Sequence, residues 1–112
     1  MEDQGVLMVT RESIQRARMR AAEAHAALLG DKSACVMAKS GESFPAGKFW
    51  EGQTAALGDL MRSPTDDFAA EAERLHVEWS RRPVPGNARE AESYRRGGLE
   101  ALTAFMDISA QQ

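Results

Sequence analysis

Two histidines, one cysteine and several paired carboxylates are the residues whose types could support catalysis or metal binding. His25 and His76 lie far apart, and neither has a metal-binding spacing such as H-E-x-x-H. Cys35 is the single cysteine and cannot form an internal disulfide. Its neighbours Ala34, Val36 and Met37 are typical of a small buried hydrophobic position. The sequence therefore predicts no metal and no cofactor.

The acidic pairs have simpler explanations than acid–base catalysis. Asp66 and Asp67 follow Pro64, where carboxylates favour a helix start, and Glu71 and Glu73 fit a solvated helix face. No G-x-S-x-G motif occurs, and no glycine-rich loop follows a strand pattern. We predict that the protein is not an enzyme. An enzyme or small-ligand protein with a dispersed site is an alternative.

Arg11, Arg16, Arg18 and Arg20 form the densest basic cluster. At about 100° per residue, Arg16 and Arg20 share one helix face, whereas Arg11 and Arg18 share another. The chain has a net charge of -3, which opposes general affinity for nucleic acid. Nucleic acid is therefore disfavoured as a partner, and a DNA-binding regulator using this cluster is kept as an alternative.

Hydrophobic periodicity predicts the elements that would position these residues. Spacings of three and four recur through most of the chain, which is typical of amphipathic helices. The predicted fold class is all-α, a single-domain bundle of four main helices. The helices are expected at about residues 11 to 29, 46 to 62, 64 to 82 and 88 to 109. Residues 1 to 10 are assigned to an N-terminal extension and 110 to 112 to a C-terminal tail.

Capping residues define the predicted helix ends. Thr10 is a plausible N-cap of the first helix, and Gly30 is a typical residue to follow its end. Ser63 followed by Pro64 and Asp66 predicts the start of the third helix, and Asn87 with Glu90 predicts the start of the fourth.

The segment between the first two helices is ambiguous. Seventeen residues without structure would be unusual within a compact domain, so a short extra element is expected near residues 33 to 39. The favoured form is a short helix that begins after Asp31 and is closed by Gly41, and a strand through residues 34 to 37 is the alternative.

Gly97 and Gly98 are adjacent within the last predicted helix, where each glycine costs about 1 kcal/mol relative to alanine. Close packing of another backbone against Gly98 would compensate for this cost. A kink or break near residue 97 is the alternative.

Trp50, Glu51 and Gly52 form a W-x-G triplet near mid-chain, and this chain of 112 residues resembles the secreted WXG family in its length and helical pattern. The resemblance implies that the triplet forms a turn between two long helices. That family also has a Y-x-x-x-[DE] signal, whereas Tyr94 is followed four residues later by Gly98. Without the resemblance, the triplet is expected within a helix, with Trp50 packed beside Thr54, Leu57 and Met61.

Function is predicted from wide apolar helix faces and the lack of a catalytic motif. We expect a small cytoplasmic protein that acts through protein–protein interaction, as an adaptor, regulator or inhibitor. The partner is another protein or a second copy in a homodimer, and no membrane is involved because the apolar runs are too short to span one. The candidate interaction surface comprises Arg11, Arg16, Arg18, Met19, Arg20, Ala22, Ala26 and Leu29. The candidate core or interface anchors are Trp50, Trp79, Tyr94, Gly98 and Phe105.

Overall fold

Four helices make up the part of the chain that the computed structural model describes, which is residues 9–31, 45–84 and 86–106. They are α1 (Arg11–Asp31), α2 (Pro45–Met61), α3 (Phe68–Arg81) and α4 (Ala88–Thr103), with no strand in these ranges. The all-α bundle of four main helices is confirmed. The element expected near residues 33 to 39, and Cys35 within it, lie outside the described residues.

Helix α2 is central and contacts the other three helices, most extensively α4. Helix α1 runs antiparallel to α2, because Arg11 donates to the carbonyl of Met61 near one end of α2, and His25 lies 3.6 Å from Glu51 nearer the other. Helix α4 runs parallel to α2. The Ser93 hydroxyl donates to the carbonyl of Pro45, and Gly97 one turn later lies on Phe49.

Helix α3 connects these two parallel helices and supplies the largest buried side chain. Its stripe of Phe68, Ala72, Leu75 and Trp79 is buried, as the spacing predicts. These side chains join residues from the other helices in one core, whose remaining members are Ile14, Ala56, Leu57, Leu60, Ala101 and Leu102.

Two of the predicted caps are present. The hydroxyl of Thr10 accepts from Ser13 N at 3.0 Å, while the Ser13 hydroxyl accepts from Thr10 N at 3.0 Å, which is a reciprocal cap for α1. Asn87 caps α4 by accepting from Glu90 N at 2.8 Å. Gly86, just before this cap, has a φ of +113°, a conformation that glycine adopts without strain.

The predicted start of the third helix at Ser63 was wrong. The Ser63 hydroxyl accepts from Thr65 N at 3.3 Å and forms a local turn instead of a cap. Asp67 is the N-cap, and its carboxylate accepts from Ala70 N at 3.2 Å. Both residues have side chains suited to capping, and the local turn at Ser63 delays the helix by four residues.

The C-terminal ends of α1 and α4 also differ from the prediction. Helix α1 continues through Gly30 to Asp31, since a single glycine is tolerated near a helix end. Helix α4 ends at Thr103 and not near residue 109. There the hydrogen bonds shorten from i−4 to i−3, as in the bond from Phe105 N to Leu102 O at 3.0 Å.

Candidate interaction surface

A groove of about 360 Å³ runs between α1 and α4 over the surface of α2. It exists because α1 and α4 both pack on α2 and leave a strip of α2 between them. Its lining residues are Ala17, Arg20, Ala21, Trp50, Gln53, Leu57, Glu100, Ala101, Ala104 and Phe105.

Alanines form the walls of this groove. Ala17 and Ala21 come from α1, Ala101 comes from the last turn of α4, and Ala104 is the residue that follows this helix. Because alanine side chains are small, the backbone of another helix could approach these walls closely. Each alanine would bury only a small apolar area. Most of the apolar area that a ligand helix could cover therefore belongs to the larger residues of the groove.

Those larger residues include two partly exposed aromatic side chains, Trp50 and Phe105. The Trp50 ring meets the Phe49 ring edge-on, with centroids 5.0 Å apart and planes at 86°. Leu57 lies two turns along α2 from Trp50 and is buried. Aromatic side chains at a surface are common anchors of protein interfaces, because they offer a large area with few rotatable bonds.

Three polar side chains cross the middle of the groove. Arg20 is on α1, Gln53 on α2 and Glu100 on α4. The antiparallel register of α1 places Arg20 near this part of α2, because Arg18 Nε donates to the Thr54 carbonyl at 3.2 Å. The parallel register of α4, set at Gly97 and Phe49, places Glu100 at the same level. The groove is thus apolar at both ends and polar in its centre, with opposite charges on its two rims.

A second depression of about 550 Å³ continues from the groove past Trp50 towards the start of α2. It shares Trp50 and Glu100 with the groove and is also lined by Phe49 and Arg96. The Arg96 guanidinium lies 5.7 Å from the centroid of the Phe49 ring, a cation–π distance. The two neighbouring concave surfaces therefore meet at Trp50 and Glu100, which line both.

The arginine cluster of α1 is divided between two roles. Arg11 donates to the carbonyl of Met61 and lies 5.0 Å from the centroid of the Phe68 ring. Arg18 donates to Thr54 and lies over Gly58. Arg16 and Arg20 are exposed. Arg11 is exposed as well, yet Arg11 and Arg18, which were expected on one face, both donate to carbonyls of α2 and so contribute to the contact between α1 and α2.

The apolar members of the predicted α1 surface lie on the flank away from the groove. Met19 is 51% exposed, and Ala22 and Ala26 are exposed near it at helical spacing. The side chain of Leu29 lies outside the described residues. Of the predicted interaction residues on α1, the structure thus places Arg20 on the rim of the groove. Ala17 and Ala21, which were not among them, line the groove beside it.

Three of the predicted anchors form an internal cluster. Trp79 is fully buried, stacks on Tyr94 with ring centroids 5.3 Å apart, and contacts Gly98 with its indole ring. Its Nε1 donates to Asp59 Oδ2 at 3.1 Å, which satisfies the buried N–H. The Arg82 guanidinium covers the ring at 4.6 Å from its centroid. These residues anchor the core, whereas Trp50 and Phe105 reach the surface.

A polar pocket of about 310 Å³ is the place where a dispersed catalytic or ligand site could lie. It is lined by Lys48, Arg82, Pro83, Val84, Glu90 and Tyr94. Lys48 pairs with Glu51 at 3.2 Å, and Arg82 lies 3.5 Å from both Asp59 and Glu78. Its two cations therefore have protein carboxylates as partners. Within the described ranges, no group of three His, Cys, Asp or Glu side chains could hold a metal ion.

The W-x-G triplet lies inside α2 and forms no turn. Gly52 is buried in this helix against the Tyr94 carbonyl of α4. The turn implied by the WXG resemblance is therefore wrong. The sequence-based expectation that Gly52 lies within a helix is confirmed.

On the α4 side of the groove, the sequence analysis identified Phe105 but missed Glu100, Ala101 and Ala104. It also missed Gln53 in the polar centre. The available signal was the run of small residues Gly97, Gly98, Ala101 and Ala104 at helical spacing. This run indicates a face of α4 that can approach another helix, but the parallel pairing with α2 is needed to locate the groove.

Comparisons with protein-family models, with curated proteins and with solved structures found no match to this chain. In the described part of the chain, none of the helices has the length and apolar character needed to cross a membrane. Functional inference therefore depends on the geometry of the surface.

Proposed function

We propose that this protein acts through protein–protein contact, as an adaptor, regulator or inhibitor, and that the α1–α4 groove receives an α-helical segment of another chain. The observation that carries the proposal is the groove itself, with its alanine walls and partly exposed Trp50 and Phe105. Amphipathic helices bind grooves of this kind through side chains spaced i, i+3 or i+4, and i+7. The proposal has no catalytic component, and a cytoplasmic location is part of it.

The dimensions of the groove favour a short helical ligand. Trp50 and Leu57 are seven residues apart on α2, which corresponds to about 10 Å along the helix axis. A ligand helix would cover this length with about two turns. The polar centre at Gln53 favours a ligand whose middle residue is polar and whose flanking contact residues are apolar. A polar position within an apolar seam fixes register in helix pairs, so this pattern would give the groove selectivity.

The alternative functions have weaker support. DNA binding through the α1 arginines would use Arg16 and Arg20, because Arg11 and Arg18 are engaged with backbone carbonyls. A ligand-binding or catalytic function would use the polar pocket around Tyr94, where protein carboxylates already pair with both cations. A secreted WXG-like role would require a turn at the W-x-G triplet, which instead lies within α2.

Site-specific photo-crosslinking tests the proposal. A photoreactive amino acid at Gln53 would lie in the groove, and the same amino acid at Val77 would lie on α3, where the side chain is 48% exposed and does not line the groove. In lysate of the native host, we expect the Gln53 probe to label a helical segment of a polypeptide, and the Val77 probe not to label it. Mass spectrometry of the crosslinked peptides would identify the segment.

The anchor residues provide the matching affinity test. Truncation of a central aromatic anchor commonly costs about 2 kcal/mol or more of binding free energy, which is roughly 30-fold in affinity. We expect Trp50→Ala to abolish the Gln53 crosslink, while Val77→Ala leaves it intact. Identical labelling from both probes, or a Gln53 crosslink that survives Trp50→Ala, would contradict the proposal.

A further inference from the structure

We infer that the groove determines the direction in which its ligand helix binds, and that this ligand is a helix of another protein with an acidic residue on one flank and a basic residue on the other. This inference rests on the groove of the proposed function and specifies the partner that fits it. The acidic flank of the ligand would face Arg20 on α1, and the basic flank would face Glu100 on α4.

The apolar surface of the groove leaves the direction of a ligand helix open. Both walls contain alanines, and an apolar side chain of α2 lies on either side of Gln53 along the floor. Phe105 adds apolar area at one end, which an apolar ligand residue can cover in either direction. The Gln53 amide both donates and accepts, so it can bond a polar ligand residue in either direction as well. The direction must therefore be set by another property of the walls.

Charge is the property in which the two walls differ. Arg20 and Glu100 are both exposed, and in the described parts of the chain neither forms an ion pair. Both lie at the level of Gln53, on opposite rims of the groove. Each charge can therefore pair with a ligand side chain on its own side of the ligand's middle turn.

A helix that lies in a groove turns one flank to each wall. Reversal of its direction, with the same face in the groove, exchanges the two flanks. A ligand with an acid on one flank and a base on the other thus meets opposite charges on both rims in one direction and like charges on both rims in the other. Because complementary charges fix specificity and like charges in contact are disfavoured, the two rims select one direction.

A third exposed cation restricts where the ligand can carry its base. Arg96 lies one turn before Glu100 on α4 and lines the neighbouring depression instead of the groove. A basic side chain on the α4 flank of the ligand therefore meets an anion at the level of Gln53 but a cation towards the start of α2. The oppositely charged pair of the ligand thus belongs at its middle turn.

Two helical peptides of identical composition test the inference. Each has leucine at the two outer contact positions, glutamine at the middle one, and one glutamate and one lysine on opposite flanks of the middle turn. The second peptide has the glutamate and the lysine exchanged. A photoreactive residue at the N-terminus of each peptide would crosslink to the end of the groove that it reaches, and mass spectrometry would distinguish the Trp50 end from the Phe105 end. We expect the two peptides to label opposite ends of the wild-type groove, each with a preference of at least about fivefold.

Exchange of the rim charges is the second half of the test. The double variant Arg20→Glu/Glu100→Arg keeps the net charge, and the two peptides should exchange the ends that they label. The neutral variant Arg20→Gln/Glu100→Gln should be labelled about equally at both ends by each peptide. In about 1 M salt, where the Debye length is about 3 Å, the preference for one end should disappear for the wild-type chain while apolar binding remains.

A matched control separates the rim charges from charge changes elsewhere. The double variant Arg89→Glu/Glu92→Arg makes the same changes at exposed positions of α4 that do not line the groove. It should be labelled like the wild-type chain, and circular dichroism should show equal helicity for all variants.

Three results would overturn the inference. They are labelling of the same end by both peptides, a wild-type pattern in Arg20→Glu/Glu100→Arg, and the absence of saturable binding of either peptide. In each case, a Gln53 crosslink to a host protein that is lost in Trp50→Ala would leave the proposed function standing, and the absence of that crosslink would remove both.

Discussion

Of the three helices that contact α2, two pack on it through opposite kinds of contact, α4 through backbone and α1 through long side chains. Towards α4, backbone meets backbone, since Gly52 lies on the Tyr94 carbonyl and Gly97 lies on the Phe49 carbonyl. Towards α1, arginine side chains mediate the contact, since Arg11 and Arg18 reach carbonyls of α2. The first interface has no room for adjustment, whereas the second combines the buried Ile14 with long arginine side chains that can move.

The difference shows that the role of a glycine depends on what lies opposite it. A Cβ at Gly52 or Gly97 would come within 3.0 Å of a carbonyl oxygen, a separation that Cβ atoms essentially never show. A Cβ at Gly58 would lie 3.3 Å from the end of the Arg18 side chain. Gly52 and Gly58 are in the same helix, yet the first is required by the fold and the second is not.

The largest effect is expected from Trp79→Ala, which would remove the largest buried side chain of the core. Removal of a fully buried tryptophan costs about 3 to 5 kcal/mol, and the loss of its N–H leaves Asp59 with fewer donors. Urea unfolding followed by circular dichroism would measure the change. If the variant does not fold, Trp79→Phe should still lose about 1 to 3 kcal/mol. A loss below about 0.5 kcal/mol in Trp79→Phe would contradict the description of this core.

The next effect is expected from Gly97→Ala, which would force α2 and α4 apart. Overpacking typically costs about 1 to 3 kcal/mol, and a clash with backbone belongs at the upper end because no side chain can rotate away. The destabilisation should appear as a lower urea midpoint with helicity retained. An unchanged midpoint would show that the two helices can separate freely.

Gly58→Ala is the matched control for that substitution. Alanine gains about 1 kcal/mol of helix propensity over glycine, and the Arg18 guanidinium can shift by a few tenths of an ångström. We expect a free energy of unfolding between the wild-type value and about 1 kcal/mol above it. If Gly58→Ala destabilised the fold as much as Gly97→Ala, the contrast between the two interfaces would be lost.

A smaller effect is expected from Arg18→Met on the α1 side. Methionine retains most of the apolar stem but removes the donor to Thr54 O, and a net hydrogen bond contributes about 1 kcal/mol. Hydrogen exchange should show faster local opening of α1, while the amides at the α2–α4 contact keep their protection. Equal acceleration across all helices would mean that the arginine-mediated interface is not separable.

The smallest effect is expected from Glu71→Gln, which removes the ion pair between Glu71 and Arg74, outside both interfaces. A hydrogen bond from the Arg74 guanidinium lowers the pKa of Glu71 below its ordinary value of 4.5. Stabilisation from this pair is present above the unfolded-state pKa and is lost as the pH falls through the lower, folded-state pKa. Arg74 is 60% exposed, so solvent screening keeps the contribution of this pair small. The stability difference between wild type and Glu71→Gln should therefore be constant near neutral pH and shrink in acid.

The helices themselves were predictable because their signals are local. The α3 stripe, the Thr10 and Asn87 caps and the position of Gly52 depend on residues within a few turns of each other, and the structure has all of them. Ser63 misled the prediction because its hydroxyl was equally suited to a cap and to a local turn. Local chemistry thus established the elements but not every boundary.

The groove was not predictable because it depends on how distant helices pair. Close backbone packing was expected at Gly98, and the Gly98 backbone does lie against Gly52 of α2; the closer backbone contact at Gly97 and the packing of the Trp79 ring on Gly98 were not expected. Helix α4 is continuous through both glycines, so the break considered as the alternative does not occur. Glu100 lies at the level of Gln53 because α2 and α4 pack in parallel. The spacing of residues along the sequence does not indicate which helices pack against each other in parallel.

The parallel direction of α2 and α4 also affects how the chain can fold. Parallel neighbours cannot be joined by a tight turn, so their glycine contact closes a loop that contains all of α3. Closure of such a loop costs entropy before any native contact compensates for it, which slows folding relative to bundles of antiparallel neighbours. The Trp79 ring of α3 lies against Gly98 of α4, so α3 packs on α4 beside the glycine contact. Helices α2, α3 and α4 therefore share the contacts around Gly97 and Gly98, and the buried Ile14 joins α1 to the same core.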